Sequence, residues 1–132
     1  MTIRTSTPQD TFTHIFGSGC LSYDWWQKAD TTPYRDWDSI PDDWSVEVWA
    51  YDGENTHATH VTHKRVMEMA KHVLDNQGKM ETTPRGTEYP AWSDALEQQC
   101  VNLLYNPDDA DLDAPCADEL LQLIVIGSVI YS

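Results

Sequence analysis

The chain has 132 residues, 40% of them hydrophobic, with six Trp, six Tyr and two Phe, which is too much apolar material for a disordered polyacid and suits one domain-sized core. Acidic residues outnumber basic ones 22 to 8, for a formal charge of −14, which disfavours nucleic acid and anionic membrane as direct partners and favours a basic protein. Cys20, Cys100 and Cys116 offer no pairing framework, and "MTIRTSTPQD" lacks the apolar run of a secretory signal, so a cytoplasmic setting is expected.

Residues 1–43 read as an irregular, aromatic-rich region, with Trp25, Trp26 and Trp37 set among Gly, Pro, Ser and Asp and Trp44 just beyond. Rings this dense in a turn-rich stretch usually clamp a loop onto the body of a domain, and a short helix or strand is expected near 23–27. A platform for a sugar or a peptide is the functional alternative.

From Trp44 the pattern sharpens. "WSVEVWAY" alternates Val46, Val48 and Ala50 with Ser45, Glu47 and Trp49, which is strand period. "DGEN" supplies turn chemistry and a Thr- and Val-bearing run follows, so 44–62 is predicted to be a β-hairpin.

"THKRVMEMAKHVLDNQG" then switches to helical period, with Val66, Met69, Ala70, Val73 and Leu74 on one face, Thr62 as cap and Gly78 as stop. A helix over 63–77 is predicted, with Lys64, Glu68, Lys71 and Asp75 on its solvated side. "KMETTPRGTEYP" reads as a loop. A second helix over 90–105 should bury Trp92, Leu96, Cys100, Leu103 and Leu104, and a third over 114–131 opens at Asp113 as N-cap with Pro115 in its first turn. The Ile and Val of the last segment leave a terminal strand as its competitor, and "LLQLIVIGSVIY" is too short to span a bilayer.

"THATHVTH" places His57, His60 and His63 at every third position, a spacing that invites a metal reading. In a strand, however, His57 and His60 face opposite sides, and His57 and His63 lie roughly 20 Å apart at about 3.3 Å per residue. That exceeds the span of two ligands on one zinc, and no "HExxH" pattern is present, so no metal is assigned. His14 and His72 stand alone in the sequence. Cys100 falls on an apolar helical face and reads as core filler.

"DDADLDAPCADE" resembles a calcium loop at its first three ligand positions, but Ala114 stands where Gly is needed and Leu120 where Glu is needed. The alternative is a solvated acidic lead-in to a helix capped by Asp113. In a further reading, Asp108, Asp109, Asp111, Asp113 and Asp118 join Asp36, Asp38, Asp42, Asp43 and Glu47 in a surface that imitates a phosphate backbone. Such a surface needs close carboxylates on a rigid frame.

The order of "SYDWW", a Val-rich hairpin running into "VTHKRVMEMAKHVL", and the closing "NPDDADLDAPCADELLQLIVIGSVIY" resembles a group of small acidic proteins encoded by actinobacteria and their phages. The resemblance carries no activity and assigns no functional residue. By association it implies an inhibitor or adaptor that occupies a host protein, such as a CRISPR or restriction nuclease.

The expectation is therefore one α+β domain over 1–132, with a hairpin or small antiparallel sheet against about three helices. Its function is expected to be non-enzymatic binding of a basic or nucleic-acid-binding host protein. The expected contacts are Asp36, Asp38, Asp42 and Asp43 together with Asp108, Asp109, Asp111 and Asp113, with no cofactor. Two alternatives stand beside it: a metal-dependent hydrolase drawing on His14, His57, His60, His63 and His72, and a phage structural or assembly component.

Overall fold

The alternation of Val46, Val48 and Ala50 is what organises the sheet. In the computed structural model, which describes residues 5–132, these side chains are fully buried and their strand, β2 (Ser45–Tyr51), lies between β1 (Trp26–Ala29) and β3 (Thr56–Thr62). Both pairings are antiparallel. The hairpin register runs from Ser45 opposite Thr62 to Tyr51 opposite Thr56, and Asp52 to Asn55 close it with Gly53 in the left-handed region at φ 101°. One face of the sheet meets the helices and the other meets solvent, as the alternating pattern requires.

Four helices complete an α+β architecture. They are α1 (Pro8–Phe16), α2 (His63–Asp75), α3 (Asp94–Tyr105) and α4 (Ala114–Val125). Helix α2 starts where expected because the Thr62 hydroxyl accepts from the Arg65 amide. Helix α3 starts at Asp94, later than expected, because Pro90 ends a strand and Ser93 is the residue whose hydroxyl caps Leu96. The segment read as a loop holds a second antiparallel pair, β4 (Met80–Thr82) and β5 (Glu88–Pro90).

Helix α1 lies inside the region read as irregular. Thr7 and Asp10 form a reciprocal capping box at its start, with Pro8 in the first turn. Its Phe12 ring is the hub of an aromatic cluster, 5.1 to 5.5 Å from the rings of Phe16, Tyr34, Trp37 and Trp44. Trp44 also donates its indole N–H to the Pro8 carbonyl at 2.6 Å. The tryptophans of this half thus do different things: Trp26 and Trp44 are core, Trp25 is half-buried, and Trp37 stays 44% exposed.

Helix α4 runs through the middle, packed on α1, α2, α3 and the sheet, which explains why it is apolar nearly all round. It ends at Val125, short of residue 131. Gly127 turns the chain at φ 97°, and the amides of Ile126 and Gly127 both donate to the Gln122 carbonyl. Beyond that turn the last residues fold back along the helix. The Gln122 side chain holds them: its Oε1 accepts from the Ile130 and Tyr131 amides, and its Nε2 donates to the Tyr131 carbonyl. The Ile- and Val-rich tail is therefore neither helix nor strand.

Candidate functional site

All eight aspartates expected to meet a partner are exposed, and they belong to two segments, 36–43 and 108–113. Gln9 donates from a single amide nitrogen to the Ile40 carbonyl at 2.9 Å and to Asp42 Oδ1 at 2.7 Å. The Ser6 amide and hydroxyl, just before α1, both donate to the Leu103 carbonyl of α3. Two imidazoles feel the charge of these carboxylates. Burial lowers the pKa of His14 while Asp10 and Asp111 oppose that shift, and burial lowers His63 while Asp10 and Asp42 oppose it. Helix α1 is thus bonded to segment 36–43 through Gln9, and its His14 feels the charge of Asp111 from segment 108–113.

Two of the carboxylates are held by backbone amides. Asp36 accepts from the Asp38 amide at 3.0 Å and from the Ser39 hydroxyl, and Asp113 caps α4 through the Cys116 amide at 2.9 Å. Loop 108–113 is pinned from α3, where Gln99 Oε1 accepts from the Asp111 amide and the Asn102 side chain donates to the Asp109 carbonyl. Among the described residues, no ion pair engages Asp36, Asp38, Asp42, Asp43, Asp109, Asp111 or Asp113. No Lys, Arg or His follows Arg85 in the chain, so the loop has no basic neighbour in sequence.

Aromatic rings sit among these charges. Trp37, between Asp36 and Asp38, leans on Phe12 and covers Gly17, where a β-carbon would come within 2.9 Å of the indole and 2.5 Å of the Thr13 carbonyl. Gly17 is thus required by close approach. Tyr105, 59% exposed, stands beside the 3-10 turn Pro107–Asp109.

Asp118 and Glu47 do not belong to this surface. Asp118 is 3% exposed, and its Oδ1 accepts from the indole N–H groups of both Trp25 and Trp26, at 2.8 and 2.7 Å, while Oδ2 accepts from Gln122 at 2.7 Å. Helical period places Asp118 on the inward face of α4, and tryptophans more than ninety residues away satisfy it there. Burial nonetheless pushes its pKa up against the pull of these donors. Glu47 lies on the outer face of the sheet, where it pairs with His60 at 3.4 Å and accepts from Trp49.

The histidines are dispersed. His57 pairs with Asp52 at 2.6 Å across the hairpin turn, His60 with Glu47, and His63 shares a 2.9 Å hydrogen bond with the Thr11 hydroxyl. His72 sits edge-on to Trp92, 6.2 Å between ring centres. Turn amides of Asn55 and Glu54, with His57, hold Asp52 down to about 2. Among the described residues, no three His, Cys, Asp or Glu side chains converge on one point that could hold a metal ion. The three thiols are buried and pushed up, Cys20 to about 11 and Cys100 and Cys116 to about 12, which makes them poor nucleophiles.

A groove that the sequence did not reveal opens next to Asp113, with a volume of about 420 Å³. Its aromatic wall is a column in which Trp25 stacks between Tyr23, at 4.7 Å, and Tyr131, at 5.2 Å. Tyr131 also donates its hydroxyl to the Tyr51 carbonyl. Glu119 lines the opposite side, its two oxygens accepting from the Ser93 amide and hydroxyl. Tyr23 and Trp25 lie more than a hundred residues from Tyr131, so no periodicity joins them.

Among the described residues no helix is long and apolar enough to cross a membrane. No family model matches the chain, and neither a curated protein nor a solved structure matches it with significance, so the chemistry of the site rests on its own residues.

Proposed function

We propose that the chain is a non-enzymatic acidic binding protein that occupies a basic, nucleic-acid-binding protein through the face around α1. The observation that carries this reading is the exposure of all eight aspartates of segments 36–43 and 108–113, with Gln9 of α1 bonded to Asp42 and Asp111 acting electrostatically on His14. Exposed carboxylates match a basic groove in charge, and those of Asp36 and Asp113, fixed by backbone amides, bind with little ordering cost. Trp37 and Tyr105 are the residue types that anchor protein interfaces. A CRISPR or restriction nuclease, whose nucleic-acid channel a rigid polyanion can fill, is the partner class that this surface and the resemblance to phage-encoded proteins favour together.

The test is capture of the partner by the tagged chain at low and high salt, followed by affinity measurement with Asn variants. Asn at positions 36, 38, 42 and 43, or at 108, 109, 111 and 113, keeps an acceptor at each cap and removes four charges. Each set should leave folding intact, weaken binding by about tenfold or more near 0.1 M salt, and flatten its salt dependence. Equal affinity for the parent chain and both variants overturns the electrostatic reading.

A further inference from the structure

The groove beside Asp113 has a composition that selects its occupant. Three carboxylates border it, from Asp113, Asp118 and Glu119, and no Lys, Arg or His is among its lining residues. An anion is therefore repelled. The rest of the wall is apolar, built by Ala95, Pro115 and Val129 together with the Tyr23, Trp25 and Tyr131 column. A bare ammonium, compact and strongly hydrated, gains little from such a wall, whereas a guanidinium is planar, weakly hydrated and able to stack on rings while it donates to carboxylates. Its methylene stem suits Pro115 and Val129.

We propose that this groove seats an arginine side chain of the partner, with the guanidinium packed against a terminal tyrosine of the column, since both faces of Trp25 are covered, and paired with Glu119 and Asp113. The inference rests on the reading above that the partner is basic, and it adds a specificity site to a surface that otherwise acts through charge. Asp113 belongs to both, as the last carboxylate of the acidic loop and the first of the groove. The backbone-bonded carboxylate of Glu119 and the stacked rings are in place before an arginine arrives, so little is lost in ordering them.

The experiment titrates the full chain with Nα-acetyl-arginine amide and follows the Trp25 indole N–H and Tyr131 ring signals by NMR, with Trp25→Phe used to assign the indole. Two control probes are Nα-acetyl-citrulline amide, which has the same shape without the charge, and Nα-acetyl-tyrosine amide. Saturable shifts are expected with the arginine probe, with affinity falling about tenfold for citrulline, the effect of removing one charged, ring-stacked group. Ala95→Trp fills the groove from an exposed position on α3 and should abolish the response while the circular dichroism is unchanged. No shift up to tens of millimolar, equal binding of citrulline, or equal binding of the tyrosine probe overturns the proposal. The probe is a free amino-acid derivative, and Ala95→Trp leaves all eight outer aspartates in place. A silent groove and an α1 face that binds no basic partner therefore give separate results.

Discussion

At the scale of single residues, Asp118 is the most consequential carboxylate, although it contributes nothing to the outer surface. Three N–H donors converge on it, two of them indoles that fix Trp25 and Trp26 and with them the aromatic column. Asp118→Ala leaves these donors without an acceptor and is expected to cost about 2 to 4 kcal/mol in urea denaturation, while Asp118→Asn, which keeps one carbonyl for the indoles, should cost less. The pH dependence has a definite sign. Because burial raises the pKa of Asp118 in the folded state, the folded chain holds that proton more tightly than the unfolded chain does. Stability from this group is therefore full below the ordinary carboxylate range and lost as pH rises through the raised folded value. The stability difference between the parent and Asp118→Asn should shrink across that window, and a difference that grows with pH overturns the assignment.

At the scale of elements, the fold-back of residues 126–132 depends on Gln122 more than on its own sequence. That one amide satisfies the amides of Ile130 and Tyr131 and the carbonyl of Tyr131, and Tyr131 in turn closes the column over Trp25. Gln122→Ala is expected to cost about 2 to 4 kcal/mol, from unpaired backbone groups and a cavity in a fully buried place. Hydrogen exchange checks the mechanism: the Ile130 and Tyr131 amides should lose protection while α2 and α3 keep theirs. Retained protection at both amides places the tail under the control of the Tyr131 stack instead. Elements of this kind mark the limit of what the sequence discloses. The Val46, Val48, Ala50 alternation, the Thr62 and Asp113 caps and the period of α2 are local patterns, and each appears in the structure where the pattern put it. Helix α1 was obscured because its Phe12 and Phe16 stand among turn formers, although the Thr7, Pro8, Asp10 capping box was a legible signal. The tail was misread because Gln122 acts across the turn, and the inward aim of Asp118 because its partners come from β1 and the turn before it. The exposure of the eight aspartates follows from their composition, whereas the bond that ties Asp42 to Gln9 of α1 is set by tertiary packing alone.

At the scale of the whole molecule, charge is unevenly distributed, and salt should act on folding and binding with opposite signs. Lys64, Lys71 and Lys79 find acidic neighbours at Glu68, Asp75 and Glu81 on exposed sites, where such pairs add little. Past Arg85 the chain carries Glu88, Asp94, Glu97, Asp108, Asp109, Asp111, Asp113, Asp118 and Glu119 with no Lys, Arg or His to offset them. Self-repulsion among these groups opposes the compact state, and most of it acts between exposed groups that salt can screen. Raising salt from about 0.1 M to about 1 M shortens the screening length from about 10 Å to about 3 Å, so the melting temperature of the isolated chain should rise by a few degrees. The same addition removes the attraction that brings a basic partner to the α1 face and should weaken the complex. A melting temperature that falls with salt would mean that the exposed ion pairs outweigh the repulsion, and the strain attributed to the acidic face would then be absent. The Asn variants at positions 108, 109, 111 and 113 separate the two effects within one protein: they should melt higher than the parent at low salt and converge with it at high salt, and bind less well at low salt with the gap narrowing as salt rises.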